Sequence, residues 1–168
     1  MPLLVDIQVA PQYETLVNTD LLRQAVAATL EHQGWRDDGE VVLVITDDEG
    51  IRRLNLEFRN TDSPTDVLAF SGAIGEGFVT PEGYSGYFGD VVISYSRAEV
   101  QAAKAGHSVD RELQLLTIHG VLHLMGLDDS DEAGWQRMSA IQNEILGSLA
   151  PPPTPREGTT REGAAGGQ

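Results

Sequence analysis

The sequence predicts an α+β fold: a small mixed four-stranded sheet covered by about five helices, with a metal site on one helix and the loop after it. Three observations predict it. Short runs are valine-rich or strictly alternating, which is the pattern of strands. Longer segments between and after them repeat apolar residues at helical spacing. One of those apolar segments carries two histidines one helical turn apart, His119 and His123.

The first strand is Leu3 to Ala10, where Leu4, Asp6 and Gln8 alternate with Val5, Ile7 and Val9. Asn18-Thr-Asp20 supplies capping side chains for a helix through about His32, with Leu21, Leu22, Ala25, Val26, Thr29 and Leu30 on its apolar face and Gly34 ending it. Glu40 to Thr46 (EVVLVIT) reads as a buried strand. Asp47 and Asp48 open a second helix, with Ile51, Leu54, Asn55 and Phe58 at helical spacing and Arg59 near its end.

After a turn marked by Asp62 and Pro64, Asp66 to Phe70 reads as a third strand. A Gly-rich loop, Ser71 to Gly86, leads to a fourth strand, Tyr87 to Tyr95. The loop is too irregular for a phosphate-binding motif, but it could close over a substrate. Residues 96–106 begin the last helical region, Gly106-His107 interrupts it, and Ser108 caps the histidine-bearing helix. Asp131 to Leu149 forms a closing helix through Trp135, Met138, Ile141 and Ile145. The order β-α-β-α-β-β-α-α-α implies helices covering a small mixed sheet.

The length of 168 residues suits one domain, 1–150, large enough to bury a core. Residues 151–168 (PPPTPREGTTREGAAGGQ) have almost no large apolar side chains and read as a disordered tail. The net charge of −15 falls within 1–150, because the tail carries two arginines and two glutamates. So acidic a chain is no non-specific nucleic-acid binder, since phosphate contact relies on Lys and Arg displacing counterions. The absence of cysteine excludes disulfides, iron–sulfur clusters and Cys-based zinc ribbons. With no basic leader and no run of 18 apolar residues, a soluble cytoplasmic protein without a membrane partner is the expectation.

The stretch His119-Gly-Val-Leu-His123-Leu-Met-Gly126-Leu-Asp128-Asp129 concentrates the chemistry. Positions i and i+4 lie nearly above one another on a helix, so both imidazoles can reach one ion. Gly126 stops the helix, and the chain can then turn Asp128 or Asp129 back toward the histidines. Histidines at this spacing on an apolar segment also occur as core or surface residues; the Gly-then-Asp continuation favours metal.

In the metalloprotease motif H-E-x-x-H the glutamate is the general base. Here that position is Gly120, which argues against a peptidase. What remains is an ion that lowers the pKa of bound water from 15.7 toward about 7 and polarises a phosphoryl or carbonyl oxygen. That suits phosphodiester hydrolysis, for which a nearby arginine is expected.

Leu54-Asn-Leu-Glu-Phe58-Arg59, Asp62-Ser-Pro64-Thr65-Asp66-Val67-Leu68-Ala-Phe70, Gly89-Asp90-Val-Val-Ile-Ser94, Gly106-His107-Ser and HGVLHLMGLDD together resemble, in order, the YbeY family of bacterial ribosomal-RNA maturation factors. The resemblance implies a zinc-dependent, single-strand-specific endoribonuclease acting at the 3′ end of small-subunit (16S) rRNA and in ribosome quality control. It also implies small-subunit ribosomal proteins and an RNA-binding GTPase as partners.

Carried over by position, the family's metal histidines fall on His119 and His123, and its cleft arginine on Arg59. Its usual third ligand, a histidine, falls on Asp129, giving one Zn²⁺ per chain held by His119, His123 and Asp129. Two neutral imidazoles and Asp leave the ion at formal +1 rather than +2, which implies a less acidic bound water and more tolerance of harder ions. Asp128 and Asp131 compete for the third position.

Each of these residues also has a plainer reading. Arg59, at a helix end, could interact with free carbonyls or an acidic neighbour such as Glu57 or Asp62 instead of phosphate. Thr65, Asp66 and Asp90 suit capping or turns. His107 reads as structural at a helix junction without a spaced partner, and His32 as an exposed helix end. Two histidines and a carboxylate are also the ligand set of non-haem iron oxygenases. Two rival functions stay open: a ribosome-assembly factor whose metal is structural, and a metal-dependent hydrolase of another substrate.

Overall fold

The computed structural model describes residues 3–35, 39–71 and 87–152. Alternation builds the first strand, β1 (Leu3–Val9), whose Val5, Ile7 and Val9 turn inward while Leu4, Asp6 and Gln8 are exposed. The Asn18 side chain accepts hydrogen bonds from the Asp20 and Leu21 amides and so starts α1 (Thr19–His32). β2 (Gly39–Thr46) buries Val41, Leu43 and Ile45 on one face. Asp47 caps α2 (Asp48–Arg59) through the Gly50 amide, and Asn60, in the left-handed region at φ 57°, ends it.

β3 (Val67–Ser71) and β4 (Tyr87–Ser94) complete the sheet, followed by α3 (Tyr95–Ala105), α4 (Val109–Leu124) and α5 (Glu132–Ser148). The sheet order is β1-β2-β4-β3, parallel except for the antiparallel edge strand β3. This is the α+β arrangement the sequence predicts, with four strands and five α-helices among the described residues. Tyr95 is a correction: it opens α3 instead of closing β4, because the buried Ser94 hydroxyl accepts the Arg97 amide and starts the helix there.

The main core lies between one sheet face (Val41, Leu43, Ile45, Val91, Ile93) and residues of α1 and α4, including Leu22, Val26, Leu113 and Val121. α5 adds an outer layer over α1 and α4 through Met138 and Ile145 against Ala25, Ile118 and Leu122. α2 covers the opposite sheet face with Ile51 and Leu54 against Leu68, Val92 and Phe70. α4 thus runs through the interior, and three of its polar residues, Glu112, Gln114 and Thr117, are buried with it.

Burial of those groups is compensated in part, Gln114 Nε2 having no hydrogen-bond partner. Thr117 donates to the Leu113 carbonyl, and Arg111 donates to Gln114 Oε1 and to the Leu146 carbonyl of α5. No helix among the described residues is long and apolar enough to cross a membrane. The loop 72–86 expected over the substrate and the tail expected from 151 lie outside the described residues, save for Pro151 and Pro152.

Candidate metal centre and its cleft

α4 carries both histidines on one face at its C-terminal end. The helix stops at once beyond them: Met125 is its cap, and Gly126 takes φ 97°, a conformation strained for any residue with a Cβ. The reversal returns Asp129 to the histidines. His119 Nε2 and His123 Nε2 face each other at 3.1 Å, and Asp129 presents one oxygen to each, at 3.6 and 3.5 Å.

Three ligand atoms within 4.8 Å of one another could hold a metal ion. A tetrahedral ion with bonds of 2.0–2.1 Å requires ligand–ligand edges of about 3.3–3.4 Å. The two Asp129 distances are to different carboxylate oxygens, so the three side chains lie near the spacing such an ion needs and the carboxylate has only to turn to offer one oxygen.

Gln142 of α5, which sequence reasoning missed, completes the arrangement. The His119 Nδ1–H donates to the Gln142 side-chain carbonyl, which fixes the tautomer and leaves the Nε2 lone pair toward the other ligands. His123 is pushed below the ordinary imidazole pKa, first by burial and then by neighbouring His119, with Asp129 and Asp128 opposing. A neutral imidazole is the form that ligates metal.

The competing carboxylates are engaged elsewhere. Asp128 accepts from both the amide and the hydroxyl of Ser130, which hold its carboxyl below the usual range. Asp131 is the N-cap of α5, accepting the Gly134 amide at 2.7 Å. Of the three candidates, only Asp129 joins the cluster.

The histidines and Asp129 form one wall of a cleft of about 430 Å³; Arg59 and residues 65–69 and 71 form the other. Arg59 reaches it because Asn60 ends α2 immediately after it and the buried Asn55 ties the following loop through the Ser63 carbonyl at 2.9 Å. Of the plainer readings of Arg59, a carbonyl contact is the one its hydrogen bonding shows, made to β3. Arg59 donates to the Ala69 carbonyl of β3 at 2.7 Å and lies 5.3 Å over the Phe70 ring, whereas Asp62 pairs with Arg52.

Asp66 also lines the cleft, and its carboxylate accepts from Gln101 of α3 and from Thr65. Asp90 accepts the Tyr87 hydroxyl. His107 is a second correction, since it does have a spaced partner: its Nε2 lies 2.6 Å from Glu112, a buried carboxylate in the first turn of α4. His32 is paired as well, 3.4 Å from Glu144 of α5.

A glutamate at position 120 would also meet a steric obstacle. A Cβ on Gly120 would sit 2.5 Å from Val91 Cγ1, so any side chain here requires Val91 or the helix to shift. The fold and the site together define an α+β protein built around a His₂-carboxylate cleft faced by an arginine.

The model of the family described as Endoribonuclease YbeY matches residues 7–150. A protein named Endoribonuclease YbeY from Roseiflexus castenholzii is 43% identical over 165 residues, covering 96% of this chain and 97% of its own. One of the same name from Heliobacterium modesticaldum is 46% identical over 134 residues, 75% of this chain and 80% of its own. The solution structure of TM1509 from Thermotoga maritima is similar in fold, with a TM-score of 0.53 at 22% identity over 86% of this chain and 90% of that one. The chain belongs to the YbeY endoribonuclease family.

Proposed function

We propose that this chain is a metal-dependent endoribonuclease that cuts single-stranded ribosomal RNA, maturing the 3′ end of small-subunit (16S) rRNA and serving ribosome quality control in the cytoplasm. The observation that carries the reading is the convergence of His119, His123 and Asp129 on one wall of a cleft whose other wall bears Arg59. Family membership supplies the substrate class, because the relatives are named as endoribonucleases.

One Zn²⁺ is the ion proposed for this ligand set; when bound it would acidify a water and polarise a phosphoryl oxygen. The chain's own residues do the rest. Gln142 holds the His119 ring in one tautomer, and burial favours the neutral form of His123. Arg59 uses one N–H on Ala69, and the remaining donors of its guanidinium fork are suited to a phosphate. The acidic surface leaves targeting to ribosomal partners, small-subunit proteins and an RNA-binding GTPase.

The assembly-factor reading needs a closed, four-ligand structural site. Asp128 and Asp131 are engaged elsewhere, which favours an open fourth position and hence catalysis. A peptidase is disfavoured by the Gly120–Val91 contact.

Elemental analysis of the purified protein beside Asp129→Ala and Asp129→His, with cleavage of single-stranded and duplex RNA, tests the reading. The expected result is about one zinc per chain, lost together with single-strand cleavage in Asp129→Ala. Metal and cleavage indifferent to position 129 would remove Asp129 from the ligand set. Stable metal without cleavage of any RNA would favour the assembly factor, and iron in place of zinc an oxygenase-type site.

A further inference from the structure

A chain with a net charge of −15 gains little affinity from phosphates alone, so its hold on RNA calls for contacts that do not depend on counterion release. One exposed group beside the cleft is suited to that. Phe58, in the last turn of α2, is 61% exposed, an unusual state for so large an apolar side chain. Its ring meets Phe70 edge to face, with centroids 5.4 Å apart and planes at 62°.

Arg59 links this aromatic pair to the cleft. β3 is an edge strand; its residues 67–69 and 71 line the cleft, while Leu68 and Phe70 also pack on the α2 side. The Arg59 guanidinium holds the Ala69 carbonyl and lies over the Phe70 ring, so one side chain spans from the cleft wall to the aromatic pair. A strand of RNA whose phosphate meets Arg59 would carry its next base across the edge of β3 onto Phe58.

We propose that Phe58, backed by Phe70 and flanked by Arg59, is a stacking subsite for an unpaired base next to the scissile phosphate. The proposal rests on the ribonuclease reading above and adds to it a source of strand selectivity. A base in a duplex has both faces covered by its neighbours, whereas an unpaired base presents a face to an aromatic ring. The other large aromatic exposed near the site, Trp135 at 55%, sits in a pocket with Asp129, Asp131 and Glu132, three carboxylates that repel a phosphate backbone.

The test uses the full-length, metal-loaded protein and a short single-stranded oligonucleotide carrying 2-aminopurine, whose fluorescence is quenched on stacking. Phe58→Ala is expected to weaken binding about tenfold, with the loss in KM rather than kcat, metal content retained and the quench abolished. Phe58→Trp restores the quench and the affinity, the deficit of Phe58→Ala persists at high salt, and Trp135→Ala leaves affinity unchanged. Affinity and quench unaltered in Phe58→Ala, with the parent still cutting RNA, would overturn the subsite and leave the ribonuclease reading standing. A parent that holds metal but neither binds nor cuts RNA would overturn that reading instead. Equal loss in Phe58→Trp and Phe58→Ala, accompanied by a fall in Tm, would assign Phe58 to packing.

Discussion

The two walls of the cleft are built differently. The α4 wall is a 16-residue helix with ten buried residues, packed against α1, α3, α5 and two strands. The β3 wall is a five-residue edge strand with one buried residue, Leu68, preceded by a loop tied down through Asn55. The two histidines proposed as metal ligands stand on the first, with Asp129 returned to them by the reversal after it. Arg59, proposed to meet the substrate, comes from the end of α2 and is held against the second through the Ala69 carbonyl. Precision here comes from burial of the supporting element, and adaptability from leaving the opposite element at the sheet edge.

The contrast breaks most severely on the helical wall. His123→Ala is expected to abolish metal retention and reduce cleavage to background, with its Tm matching that of the chelator-treated parent; elemental analysis and differential scanning calorimetry check this. On the opposite wall, Arg59→Ala is expected to slow cleavage about 10²-fold at unchanged metal content. Arg59→Lys recovers only part of the loss, because an ammonium lacks the planar fork. Steady-state kinetics beside metal analysis separates the two walls.

Gln142→Leu sharpens the picture from behind the helix. Losing the acceptor for His119 Nδ1 is expected to lower metal affinity about 10- to 100-fold, measured by competition with a chromogenic chelator. Gly120→Ala is expected to cost about 1 kcal/mol by denaturant unfolding, the overpacking against Val91 outweighing the gain in helix propensity. The smallest effect belongs to Asp128→Asn, which leaves metal content unchanged; a loss matching Asp129→Ala would make Asp128 the third ligand.

Legibility in the sequence followed the range of the interactions. Periodicity located every strand and α-helix, because each buries a face that its own spacing records. The histidine pair and the Gly126 reversal were legible for the same reason, being local in the chain. Choosing Asp129 over Asp128 and Asp131 from geometry required knowing that Ser130 and Gly134 occupy the other two.

Gln142 was invisible because it meets His119 only through the docking of α5 on α4, set by Ile118, Leu122, Met138 and Ile145. Its one available signal was a polar residue one helical turn from Met138 in a helix whose apolar side faces α4. The Glu112 partner of His107 sits five residues on, yet a carboxylate in a helix's first turn reads equally well as a dipole contact.

The closeness of Gly120 to Val91 also bears on which sequences lie within reach of this one. A glutamate at position 120 would give the helix the H-E-x-x-H pattern of a peptidase, but that change alone drives a side chain into β4. Trimming Val91 first opens a cavity in the main core and costs stability before any new chemistry exists. Both routes pass through a less stable protein, so the fold itself separates this cleft from peptide hydrolysis by a two-step barrier that single substitutions do not cross without loss.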